Sequence, residues 1–279
     1  MLAIIQTELV KIASRPRSYI GFAAITIIVS IIHLAMAEDG ISYLGFITQS
    51  FEQSFFMEGK ILNGNLVCFI ILQTLIIQVP LLVALVTGDL VSGEAASGTI
   101  RFLTTRPVSR TQVLLSKFAA GGIYTLLLLL WLGILALAGG LLIFGNGDLV
   151  VLKSDELVIL QQDEVLWRFM AALGAAFVAL LLIASFSMLL SCYSDNSIGP
   201  IISTMAVIIL FTIIGTMDIP LFDKIKPFLF TTHMVVWKSF FDNPVPTTQI
   251  WQSMIIMVLH IAGFTCLALF HFNRKDILS

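Results

Sequence analysis

Charge is scarce in this chain, and what there is avoids the apolar runs. Aspartate, glutamate, lysine and arginine make up 11% of its 279 residues, against 58% hydrophobic residues and a mean hydropathy of +1.01. Soluble domains carry about 25% charged residues, so a water-soluble globule is excluded and an integral membrane protein is expected. The net charge of −2, with no basic stripe, excludes a nucleic-acid partner. Cysteine is equally rare: Cys68, Cys192 and Cys266 lie far apart in or beside apolar runs, without CxxC or His-paired spacing, and read as membrane-buried thiols. His33, His233, His260 and His271 are just as scattered, so no metal and no bound cofactor is expected on this chain.

Two further absences bear on function. No Asp, Glu, Lys or Arg falls deep within an apolar run, where an ion-coupled carrier usually places its carboxylates. A cluster of acid, base or metal-ligating residues, which a membrane-embedded enzyme needs, is also missing. An ion-coupled secondary transporter, or a membrane protein without an ATPase partner, is the alternative to the reading below.

What the sequence has is apolar length. About 20 apolar residues at 1.5 Å each cross the roughly 30 Å hydrocarbon layer, and six runs reach or approach that length: 19–37, 66–87, 118–144, 169–190, 198–216 and 250–272. The expected fold is therefore an all-α integral membrane domain of six transmembrane helices filling 1–279. Ahead of them, residues 1–17 place Leu2, Ile5, Leu9 and Ile12 on one helical face with Thr7, Lys11 and Arg15 around the other, which suits a helix lying in the headgroup plane or a polar cap on the first span. Arg15, Pro16 and Arg17 end it. Ala35, Met36 and Ala37 imitate a signal-peptidase site, but the run before them is longer than a signal core and reads as an uncleaved anchor.

Residues 38–65 and 145–167 read as acidic loops. Residues 217–249 are too interrupted by Pro220, Pro227, Pro244 and Pro246 to span and too aromatic for a free loop, so a partly re-entrant outer segment of short helices is expected. Gln73 and Gln78 in the second run need partners in hydrocarbon, either an interhelical hydrogen bond or a substrate path.

Six spans put both termini on one side. That side would hold Lys11, Arg15, Arg17, Arg101, Arg106, Arg110, Lys117, Arg274 and Lys275, nine of the fifteen basic residues, and five of the seventeen acids. By the positive-inside rule both termini are cytoplasmic, in a plasma or bacterial inner membrane, and so is the polar island at 88–117.

The island reads GDLVSGEAASGTIRFLTTRPVSRTQVLLSK. Gly93, Gly98 and Thr99 approach the spacing of a phosphate loop, but Ile100 follows where that loop ends on Lys and Ser or Thr, and no strand precedes it. The signals instead describe an elbow. A short helix opens near Ser97 and runs through Ile100, Phe102 and Leu103 to a stop at Pro107. Ser109 then caps a second helix, with Gln112 three residues on, which leads into the third span. Arg101, Arg106 and Arg110 are presented to the cytoplasm, to anionic lipid heads or to a docking partner.

This stretch resembles the elbow of type 2 ATP-binding-cassette exporter permeases, in which an acidic residue precedes Gly-Thr, a Pro-x-Ser-Arg turn follows and a lysine leads into the third span. The matching positions are Glu94, Gly98, Thr99, Pro107, Ser109, Arg110 and Lys117, and the likeness extends to the whole layout. The resemblance implies a non-catalytic transmembrane subunit, paired with a second permease copy and in some cases an accessory envelope protein. Each elbow would rest on a separate cytoplasmic ATPase subunit that holds ATP and Mg. Contacts to that partner would come from Glu94, Ser97, Gly98, Thr99, Arg101, Phe102, Arg106, Pro107, Ser109 and Arg110. The cargo would be exported or extracted from the membrane; the greasy path, with Gln73 and Gln78 as candidates, suggests an amphipathic substrate.

Overall fold

A computed structural model describes residues 1–52, 61–99, 108–152 and 157–275. Helix α1 (Leu2–Ser14) ends where Arg15 turns extended, and Pro16 opens α2 (Pro16–Glu52), since proline at the first helical position loses no hydrogen bond. The chain continues through α3 (Gly64–Thr87), α4 (Ser92–Ala96), α5 (Arg110–Phe144), a β1–β2 hairpin, α6 (Gln162–Tyr193) and α7 (Ile198–Thr216). Two short helices, α8 (Pro220–Asp223) and α9 (Phe230–Met234), precede α10 (Thr247–Arg274).

Among the described residues five helices are long and apolar enough to cross a bilayer: Pro16–Ser42 within α2, then α5, α6, α7 and α10. They make this a multi-pass membrane protein, all-α but for the hairpin. The remaining candidate, α3, is bent by 52° between Gly64–Leu75 and Gln78–Thr87, and counts as a sixth span if its halves are taken together. The bend lies where Pro80, inside the helix, meets the carbonyl four residues before it.

Helix α6 is the centre of the bundle. Alanines at 172, 175, 176 and 179 are 3% exposed or less and let α3, α5 and α10 pack close around it. By contrast α7 and α10 are covered only thinly by the rest of the chain and carry exposed Ile202, Ile209, Ile213, Trp251, Ile255 and Leu259. Faces of this kind are stable only against lipid or another protein.

The structure departs from the expected layout in two places. Helix α2 does not exit at Ala37 but continues helical to Glu52, through what reads as loop, because nothing after Ala37 breaks a helix although the hydropathy falls. The acidic loop at 145–167 contains an antiparallel hairpin, β1 (Leu149–Leu152) with β2 (Leu157–Leu160), followed by α6 from Gln162. Leu149, Val151, Val158 and Leu160 are buried and Ile159 is exposed, so the two short strands bury one face. Asn63 and Asn65 tie the start of α3 to this end of the bundle: Asn63 Nδ2 donates to the Asp148 carbonyl at 2.7 Å, and Asn65 Nδ2 to the Gly147 carbonyl at 2.7 Å. As its prolines and aromatics suggest, 217–249 is a run of four short helical pieces, two of them 3-10 turns, whose Phe230, Trp237 and Phe241 are 3% exposed or less. Arg168 fastens it: Nη1 donates to the carbonyls of Phe240 at 2.9 Å and Asp242 at 2.8 Å.

Cys68 and Cys192 are buried, as read, while Cys266 is exposed on the face of α10. Among the described residues no group of three or more His, Cys, Asp or Glu side chains comes together.

Candidate functional site

At the end of the bundle opposite the hairpin, α1, α4 and the start of α5 converge on a closed ring of charges. Lys11 Nζ lies 2.6 Å from Glu8 Oε1 and 2.7 Å from Glu94 Oε1. Lys117 Nζ lies 2.7 Å from Glu8 Oε2 and 2.8 Å from Glu94 Oε1. Two carboxylates and two ammonium groups alternate, and each cation touches both anions. The side chains of Glu8, Glu94 and Lys117 are 3%, 6% and 1% exposed, while Lys11 reaches solvent at 37%. Charges so buried persist only when paired, and short charge-assisted hydrogen bonds supply that pairing.

A second group extends the ring towards α2. Asp89, 1% exposed, is ion-paired with Arg15 and with Arg17, whose Nη1 is 2.7 Å from Asp89 Oδ1. Gly93 sits directly over this carboxylate. A Cβ at that position would meet Asp89 Oδ1 at 2.4 Å, so the glycine is required by the close approach. The N-terminal end of α4 is fixed to α6 by Ser191, whose Oγ accepts from the backbone N–H groups of Val91 at 3.2 Å and Ser92 at 2.9 Å. Beneath lies a small apolar cluster of Val91, Leu114, Met188, Leu189, Cys192, Ala268 and Phe272, which joins the elbow to α5, α6 and α10.

The ionisation of these groups follows from their partners. Burial works against the Glu94 carboxylate, but the Lys117 charge and the hydrogen bonds from Lys11 and Lys117 outweigh it and hold Glu94 below its ordinary 4.5. Burial likewise opposes the Lys11 charge, and the hydrogen bonds to Glu8 and Glu94 still raise it above 10.5. For Asp89 burial prevails over Arg15, Arg17 and Lys117, and its carboxyl is raised above 3.8. The linkage signs differ accordingly. Stability from Glu94 is fully present above pH 4.5 and falls away as pH drops through its lowered folded value. That from Lys11 is fully present below pH 10.5 and falls away as pH rises through its raised value. Asp89 acts the other way, because the folded state takes up its proton more readily than the unfolded chain. Thermal unfolding of the detergent-solubilised protein should therefore show a loss of stability below pH 4.5 that Glu94→Gln reduces and Asp89→Asn deepens. Acid profiles of the two variants that coincide would refute this assignment.

The structure sorts the residues singled out by sequence. Glu94 lies in the interior with its carboxylate turned to Lys11 and Lys117, not on the surface awaiting a partner. The short helix expected through Ile100, Phe102 and Leu103 lies outside the described residues; Ser97 is the C-cap of α4, followed by Gly98 in the left-handed region at φ 68°. The Ser97 hydroxyl donates to the Gly93 carbonyl at 2.8 Å, and that of Thr99 to the Glu94 carbonyl at 3.3 Å. Ser97, Gly98 and Thr99 are exposed. Ser109 caps α5 as its spacing predicts, accepting from the Gln112 N–H at 3.2 Å. Arg110 is turned to the end of α10, donating to the carbonyls of Asn273 at 3.2 Å and Lys275 at 2.8 Å, so it too has an internal role. Arg101, Phe102, Arg106 and Pro107 lie outside the described residues. Gln73 and Gln78 are exposed on the surface of the single chain.

A family model described as a protein of unknown function, DUF2705, matches residues 20–278. The chain belongs to this family. The DUF2705 match takes in the elbow, with Asp89, Glu94 and Lys117, and begins after Glu8, Lys11, Arg15 and Arg17. No curated protein matches the chain.

Sequence reasoning missed Glu8, Lys11 and Lys117 as one unit, and Arg168 as a clamp. Lys117 gave the usable signal, since a lone lysine two turns into an apolar helix needs a buried anion. Glu8 and Glu94 are two of the few acids available at that end.

Proposed function

We propose that this chain is the transmembrane subunit of an ATP-driven exporter, in which the elbow passes the motion of a separate ATPase subunit to the spans. The observation that carries the reading is the pairing of Glu94 with Lys117 at 2.8 Å. These are the first and last positions of the motif that resembles the elbow of type 2 ATP-binding-cassette exporter permeases. A loop clasped at its base by buried charges behaves as one rigid piece. A push on 100–107 is delivered to α1 through Glu8 and Lys11, to α2 through Asp89 and to α5 through Lys117. Glu94 is thus the anchor of the lever, and partner contact falls to Ser97, Gly98, Thr99, Arg101, Phe102, Arg106 and Pro107.

The layout supports the rest of the reading. The chain is the six-span permease with α3 counted as one bent span, α1 as its interfacial helix and 217–249 as its re-entrant outer segment. Lysine and arginine gather at the elbow end, which supports reading that end and both termini as cytoplasmic. Two exposed amides, Gln73 and Gln78, call for a second permease copy around a shared path. ATP and Mg belong to the partner, and an amphipathic cargo suits the apolar surroundings. Affinity purification of the full chain from its own membrane tests the proposal. An ATP-hydrolysing subunit should accompany the chain and be lost on Arg101→Glu with Arg106→Glu; association unchanged by this double reversal would remove the elbow from the interface.

A further inference from the structure

The bend in α3 leaves a groove that the elbow does not explain. It has a volume of about 210 Å³ and lies between Pro80 at the bend, Ala176 and Ala179 of α6, Ile208 of α7, and Thr231 and Trp237 of the segment before α10. Most of this wall is apolar. Thr231 is 8% exposed, and its hydroxyl has no hydrogen-bond partner among the described residues. An unpaired buried hydroxyl costs about 1–3 kcal/mol, so the site contains a donor in need of an acceptor. The mouth opens sideways along α7 at Thr212, Gly215 and Thr216, of which both threonines are exposed. This is the least covered helix of the bundle, with 11% of its apolar window buried, and its surroundings in a membrane are hydrocarbon.

Size decides the class of occupant. An apolar cavity of about 150 Å³ accepts benzene, while pockets for drug-sized ligands begin at about 300 Å³. A groove of 210 Å³ takes a segment of one alkyl chain and is too small to enclose a drug-sized solute. We propose that this groove takes up the acyl chain of a bilayer lipid from the side, with the Thr231 hydroxyl donating to the ester carbonyl of that chain. The site is built within one chain and does not depend on the ATPase reading. It requires only that α7 faces lipid.

Trp237 provides the reporter. It lines the groove and is 1% exposed, whereas Trp131, Trp167 and Trp251 are 39%, 48% and 68% exposed on the outer faces. In a chain retaining only Trp237, the other three being phenylalanine, reconstitution into phosphatidylcholine vesicles with brominated acyl chains should reduce Trp237 emission relative to unbrominated vesicles. Gly215→Leu fills the mouth and should abolish that loss. Gly215→Ala should retain it, since a Cβ there meets only Thr232 Oγ1, at 3.7 Å. Thr231→Val preserves the shape and removes the donor, so it should weaken the quenching without lowering thermal stability in lipid-free detergent. Quenching that is absent in the parent chain, or equal in the parent, Gly215→Leu and Thr231→Val chains, would overturn the proposal.

Discussion

Lys117→Met is expected to destabilise the protein by about 3–5 kcal/mol, the usual result of removing one partner from a buried ion pair. Methionine keeps the apolar stem and loses the charge, which leaves Glu8 and Glu94 facing each other with Lys11 as their remaining partner in the ring. Both carboxylates are buried, and Lys11 is itself partly in solvent. Removing a carboxylate along with the cation should reverse much of the damage. Lys117→Met combined with Glu94→Gln leaves Glu8 with Lys11, a complete pair at 2.6 Å. The double variant should therefore be more stable than Lys117→Met alone, with a coupling of about 0.5–3 kcal/mol. Thermal or denaturant unfolding in detergent measures both. Additive losses would mean that Glu94 and Lys117 do not act as one unit.

Arg168→Met is expected to cost about 1–3 kcal/mol at the other end of the molecule, since two half-buried carbonyls lose the guanidinium donor. Arg168 is 4% exposed, and one guanidinium nitrogen serves the carbonyls of Phe240 and Asp242 while another reaches Glu164 at 3.3 Å. Glu164 is largely in solvent and adds little. Arg168→Lys restores the charge but not the planar fork, so it should recover only part of the loss. Hydrogen exchange over 235–246 separates this effect from general loosening: faster exchange confined to that segment is expected. Unchanged exchange there would deny Arg168 its clamping role.

What could be read from the sequence was whatever depended on neighbours along the chain. The limits of α7 coincide with the fifth run at 198–216, Ser109 caps α5 through its own hydroxyl, and Arg15 with Pro16 separates α1 from α2. Hydropathy located the spans but not the helix ends, because a helix does not stop where its residues become polar, as α2 shows beyond Ala37. The hairpin was overlooked because LVVL and LVIL are too short for periodicity to reveal. Their spacing around a polar turn, with Asp148 before the first, was the available signal.

The ring was hidden for a different reason. Glu8 and Lys117 are 109 positions apart, and a helical wheel of α1 places Glu8 with the polar face, where solvent is the natural expectation. Only the packing of α1 onto α5 turns that face inward. The elbow's glycines were similarly ambiguous. Gly93 looked like part of a loop for phosphate, and its role is to let the chain pass over the Asp89 carboxylate.

ATP hydrolysis by material purified from its own membrane decides the exporter reading. The full chain should bring down an ATPase subunit whose hydrolysis is measurable, and Arg101→Glu with Arg106→Glu should remove both subunit and activity while the chain remains folded. A folded wild-type chain that carries no ATPase, and whose transport persists without ATP but collapses with an ion gradient, would contradict it.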